Sequence, residues 1–209
     1  MLLFIMSLTC NIPYVPYKQL THVNKDYFQN IMTNYGIMSI TNIPNFNTND
    51  VLIKASNCAI RFNSAEHIFE DGTRRKTLAT HSIPNGLQPL YGNNTKQCDI
   101  DIIDNFRLKV QNIIQTWSNV FTNMFDLKKP LLHTESGYEF STFSNVVENG
   151  EHLEHFHSYK NKLSLYNLST LDFHIDQGLF IAFTPAISTN GFDIEEDKSV
   201  FTIKLKNGE

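Results

Sequence analysis

With 209 residues, 41% of them hydrophobic and 12% aromatic, the chain carries enough apolar material for a real core and has the length of one domain or one and a half. A formal charge of -4, a pI near 6.0 and no basic run longer than Arg74-Arg75-Lys76 exclude the electrostatic footprint of a nucleic-acid binder. No apolar stretch approaches the roughly 20 residues of a membrane span, so no stable span is expected.

Met1-Leu-Leu-Phe-Ile-Met-Ser-Leu-Thr-Cys10 is apolar and ends in small residues, as a secretory leader does, but lacks a positive n-region. Exported or endomembrane and cytoplasmic locations both stay open. Removing residues 1–10 with such a leader would leave Cys58 and Cys98 as a candidate disulfide; otherwise the three cysteines are reduced thiols of a cytosolic protein. Sequons at Asn93 and Asn167 fit export but arise readily in an Asn-rich chain.

Asn24 is placed to cap a helix whose apolar positions Phe28, Ile31, Met32 and Tyr35 follow helical spacing, and Gly36 stands where a left-handed terminator is needed. Ile37 to Ile43 alternates weakly and ends at Pro44, which predicts an edge strand. Thr48 or Asn49 caps a second helix over Val51, Leu52 and Ala55. Asp71-Gly72 predicts a hairpin between Ala65–Phe69 and Thr77–His81, with Arg74 to Lys76 on an exposed edge.

The strongest periodicity comes next. Ile103, Phe106, Val110, Ile113, Ile114, Trp117, Val120, Phe121 and Met124 recur every three or four residues, predicting a long amphipathic helix over about 101–125 with core packing as its purpose. From Glu151 onward the pattern turns strand-like: Leu153–Tyr159, Leu171–Asp176, Gly178–Pro185 and Val200–Leu205. The expected class is α+β, with an α-rich region over 11–130 followed by a β region over 131–209.

His174-Ile175-Asp176 on a strand would present an imidazole and a carboxylate on one face, a pair able to grip one metal. It sits in Leu171-Asp-Phe-His-Ile-Asp-Gln-Gly-Leu-Phe-Ile-Ala-Phe-Thr-Pro185. That segment resembles the His-x-Asp-x-Gly-Leu stretch of the isopenicillin N synthase-like, 2-oxoglutarate-dependent non-haem iron(II) oxygenases. Asn34-Tyr-Gly-Ile-Met-Ser-Ile-Thr-Asn-Ile-Pro44 is similar to that family's helix-Gly-strand opening, and the long helix falls where the family has its spine helix. Likeness spans about residues 14–209, with only the His174 segment of motif grade.

The resemblance implies a double-stranded β-helix (jelly roll) whose first part is residues 131–209. It implies Fe(II) held by His174 and Asp176, 2-oxoglutarate as co-substrate, and dioxygen and a small molecule as partners. It also implies a co-substrate-facing tyrosine at Tyr159. His155 and His157 share the Tyr159 face of their strand and are further pocket candidates, with either a metal-ligand or a plain hydrogen-bonded role. His152, on the same stretch, is weighed with them as a strand histidine near the pocket, whereas His67, His81 and His133 have no partner spacing, and Arg61, Arg74 and Arg75 are read as solvated by default. The family's distal His and its Arg-x-Ser have no counterpart, because no His or Arg follows Asp176. Two expectations therefore stand together: an oxygenase with an incomplete site, or a non-catalytic binding module keeping the fold without metal. The strand Val200–Leu205 and the turn dipeptide Asn207-Gly208 also lack a return strand. A longer natural product is expected, by about 50 to 100 residues, bearing a His that faces His174. Hydrolase and nucleotide-binding motifs such as Gly-x-Ser-x-Gly, His-Glu-x-x-His or a phosphate-cradling Gly-rich loop do not occur.

Overall fold

The computed structural model describes residues 2–4, 12–60, 65–83, 86–88, 100–125, 132–133, 137, 139–160, 178–185 and 187. It is an α+β protein whose chain divides into two compact units: residues 1–48, 110–148 and 178–209 in one, residues 49–109 and 149–177 in the other.

In the first unit, Asn24 caps α1 (Lys25–Asn30) by accepting the Tyr27 N–H at 3.0 Å, and the helix runs on as a wider π turn over Ile31–Tyr35. Gly36, at φ 71°, stops it in the left-handed conformation that costs a Cβ-bearing residue most. The chain then enters β3 (Ile37–Thr41), which pairs in parallel with β1 (Leu2–Phe4) on one side and β2 (Tyr14–Pro16) on the other. β10 (Ile181–Ala182) adds outside β1, giving a four-stranded parallel sheet of order β10-β1-β3-β2. β3 is thus a central strand, not an edge. Its residues Ile37, Met38, Ser39 and Ile40 are all buried, the pattern of a strand covered on both faces.

This sheet and α1 pack around Trp117, which is 1% exposed on the long helix α3 (Ile100–Met124). Phe121 lies 5.3 Å, Phe180 5.5 Å and Phe143 6.2 Å from the Trp117 ring centroid, and Phe28 closes the far side against Phe121 at 6.3 Å. Such pairs add about 0.5–1.5 kcal/mol each beyond area burial. Phe143 comes from a short helix, α4 (Phe143–Asn149), started by the Thr142 hydroxyl accepting the Asn145 N–H at 3.0 Å. Ser144 Oγ hydrogen-bonds Thr122 Oγ1 at 2.9 Å and donates to the Ser118 carbonyl at 3.2 Å, tying α4 to α3.

The second unit is built on an antiparallel sheet. β4 (Ala65–Ile68) and β5 (Arg74–Ile83) form the expected hairpin around Gly72, at φ 80°, with Asp71 accepting from both the N–H and the hydroxyl of Thr73 at 2.8 Å. β9 (His152–Lys160) pairs along the other side of β5, from Arg74↔Lys160 to Ser82↔His152, and β6 (Gly86–Leu87) pairs with the end of β5. Arg74–Lys76 is therefore interior to the sheet rather than an exposed edge. Strand alternation accommodates the charges: Arg74 reaches Glu66 at 3.7 Å on one face, and Arg75 lies over the Phe69 ring at 5.1 Å on the other. α2 (Thr48–Lys54) continues as a π segment, Ala55–Ile60, with Ala55 and Ile60 buried. In the first unit, a two-stranded ribbon, β7 (Leu132–His133) with β8 (Glu139–Phe140), completes the described strands. No helix among the described residues is long and apolar enough to cross a membrane.

Candidate functional site

Pleating sorts β5 and β9 into two faces. Leu78, Thr80 and Ser82 of β5 are buried, and on the same face of β9 Glu154 meets Arg107 from α3. Arg107 is 3% exposed. Its Nε donates to Glu154 Oε2 at 2.6 Å, and its Nη1 donates to Asp104 Oδ1 at 2.9 Å and the Gln88 carbonyl at 3.1 Å. This ion-pair cluster was not apparent from sequence, since 47 residues separate Arg107 from Glu154.

The opposite face collects the chemistry-bearing side chains. His155, His157 and Tyr159 alternate outward from β9, facing Ala79, Thr77 and Arg75 of β5 in register. The His155 and His157 ring centroids are 5.2 Å apart, and His157 lies 6.0 Å from the Tyr159 ring. Thr77 Oγ1 and His157 Nδ1 are hydrogen-bonded at 3.0 Å, which fixes the ring's orientation. Although the ring stays solvent-exposed, desolvation first, then the neighbouring His155 and the Arg75 charge, push the His157 pKa down to about 4. Desolvation, Arg75 and His81 lower that of His155 in the same direction. Both imidazoles are neutral at pH 7, so their ring lone pairs are not consumed by protons.

His81, at the far end of β5, has Nδ1 3.1 Å from Glu151 Oε1, and the His67 ring stands edge-on to Phe69 at 4.6 Å. His152 lies on the Glu154 face of β9 and His133 on β7. His174, Asp176, Arg61 and Cys98 lie outside the described residues; Cys58 falls in the Ala55–Ile60 segment. The strands expected at Leu171–Asp176 and Val200–Leu205 lie outside as well. Of the Gly178–Pro185 stretch, Ile181–Ala182 forms a strand, and Gly178 precedes it at φ 147°.

Two neutral imidazoles and a phenol suit a first-row dication chemically. Among the described residues, however, no group of three or more His, Cys, Asp or Glu is arranged to hold a metal. In the first unit, an open cleft of about 340 Å³ is lined by Ile40, Thr41, Asn42, Ile43, Phe46, Thr48 and Pro185. No ionisable side chain lines it. No protein-family model, curated protein or solved structure matches the chain.

Proposed function

We propose that the chain is a non-haem iron(II), 2-oxoglutarate-type oxygenase protein acting on a small molecule, with His174 and Asp176 as metal ligands and a double-stranded β-helix as the complete fold. The observation that carries this reading is the His174-Ile-Asp-Gln-Gly-Leu-Phe-Ile-Ala182 segment. At its described end, Gly178 has φ 147°, which side-chain-bearing residues rarely adopt, and stands two residues before the short strand Ile181–Ala182. Leu179 and Phe180, between them, pack on the Trp117 core, which anchors the segment's downstream side.

An iron ion bound there would supply redox chemistry with dioxygen and the 2-oxo acid. The chain's own part is to present the imidazole of His174 and the carboxylate of Asp176 two positions apart, so that both donors reach the same ion. Anaerobic titration of the chain with iron(II) and 2-oxoglutarate tests this: a metal-to-ligand charge-transfer band is expected, and its loss in His174→Ala. Absence of the band, or a band unchanged in that variant, overturns the reading. Elemental analysis then separates the alternative: no metal retained through His174 and Asp176 favours a binding module without iron.

A further inference from the structure

The outward face of β9 holds a feature that iron binding at His174 does not use. We propose that His155 and His157 together form a chelating site for a zinc-class dication, with the remaining coordination positions left to water or a small anion. The proposal is independent of the oxygenase reading.

Distance carries it. A ligating imidazole nitrogen sits 2.0–2.1 Å from zinc, which puts its ring centroid about 3.2 Å from the metal. Two such rings at the tetrahedral angle have centroids about 5.2 Å apart, whereas a right angle, as in square-planar or octahedral sites, brings them to about 4.5 Å. The centroids of His155 and His157 are 5.2 Å apart. That separation lets both rings reach one tetrahedral ion once each turns a nitrogen toward it; without metal they stand edge to face at 67°.

The surroundings fit a ligand role. In the tautomer whose Nδ1–H donates to the Thr77 hydroxyl, 3.0 Å away, His157 keeps its Nε2 lone pair for the metal. Metal-bound histidines habitually hold their second nitrogen this way. Ala79, in register with His155, puts only a methyl group beside that ring.

Arg75 is the opposing charge on the same face, diagonal to His157 across the strands. It works against a bare dication and favours one that carries an anionic co-ligand in its open positions. This gives the site a response that adventitious chelation elsewhere lacks. Removing a unit charge some 8 Å from a dication in a water-like dielectric is worth about fivefold in affinity.

The test is zinc titration of the chelator-treated, desalted full chain by calorimetry, with circular dichroism confirming that each variant is folded. One zinc per chain at micromolar affinity is expected at this pair. His155→Asn and His157→Asn should each weaken it at least tenfold, and Thr77→Val by a smaller factor. Arg75→Met should tighten it about fivefold. The zinc must also persist in His174→Ala, so the result is read apart from the iron site: zinc retained with no charge-transfer band overturns the iron reading alone. Zinc affinity unchanged in both Asn variants, zinc lost in His174→Ala, weakening by Arg75→Met, or no binding tighter than about 100 μM overturns the proposal.

Discussion

Replacing Arg107 by Met tests the ion-pair cluster of the antiparallel unit directly. Methionine keeps the apolar stem but removes all five guanidinium donors. Glu154, whose side chain is 20% exposed, then loses the partner 2.6 Å away, and Asp104 and the Gln88 carbonyl lose donors at 2.9 and 3.1 Å. Breaking a buried pair from one side costs about 3–5 kcal/mol; because Glu154 keeps some water contact, the lower end applies, about 3 kcal/mol. Every 1.4 kcal/mol is tenfold, so amide hydrogen exchange along the β5–β9 ladder should quicken about a hundredfold. Glu154→Gln should cost less, since its amide oxygen still accepts from Arg107. Combining Arg107→Met with Glu154→Leu should recover most of the loss, because Glu154 no longer leaves a charge stranded and Asp104, whose side chain is 35% exposed, can turn to water. A single-variant cost below about 1 kcal/mol, or a double variant equal to the sum of the singles, refutes the view of this cluster as a coupled buried unit.

Acid should weaken the same unit through His157. Its folded pKa, about 4, lies below the unfolded value near 6.5, so the unfolded chain binds more protons between those limits. Stability is full above pH 6.5, declines as pH falls toward 4 and levels off below. After discounting for solvent screening of an exposed ring, the loss is about 1 kcal/mol. Urea midpoints of the wild type and His157→Asn at pH 7 and 4.5 measure it, and an equal drop in both rules His157 out. Trp117→Ala should cost about 3–5 kcal/mol by opening the aromatic core, whereas Trp117→Phe should cost well under half of that. The Phe variant also removes the indole N–H, which is buried without a hydrogen-bond partner. Denaturant titrations showing equal costs would contradict this. Gly178→Ala should cost about 1–3 kcal/mol through its φ of 147°, because a Cβ there meets nothing closer than 3.9 Å. An unchanged Tm would show that the loop relaxes freely.

Features written locally were legible in the sequence. Asn24, Gly36, the Asp71-Gly72 turn and the stripe from Ile103 to Met124 each act within a few residues, and each takes its expected place. The common face of His155, His157 and Tyr159 followed from strand alternation alone. What escaped depends on distant partners. Ile37–Thr41 looked like an edge strand because its neighbours come from residues 2–4, within the stretch resembling a leader, and 14–16, where the sequence pattern announced no strand. Arg74–Lys76 looked exposed because β9, which covers the second side of β5, lies about 80 residues downstream. Helix α4 offers only Phe143 and Val146 as buried apolar positions, too few to show a period. The Thr77 contact that orients His157 is set by strand register, which no local pattern encodes.

The parallel sheet has a consequence for how the chain acquires its structure. β1 meets β3 through Leu2↔Ile37 but meets β10 through Leu2↔Ile181, a loop about five times longer. Closing it costs about 1.4 kcal/mol more in chain entropy, for only two residues of ladder. During synthesis the Leu2–Phe4 strand thus acquires its first partner early and its second only after residue 182 emerges from the ribosome. The outer edge of β1 stands open in the interval, a template for pairing with other nascent chains. The β4–β5 hairpin, whose partners are at most 12 residues apart, forms on the microsecond scale and waits for β9. Folding is therefore expected to be fast in the hairpin and slow in the parallel sheet, with aggregation competing most strongly before Ile181 docks.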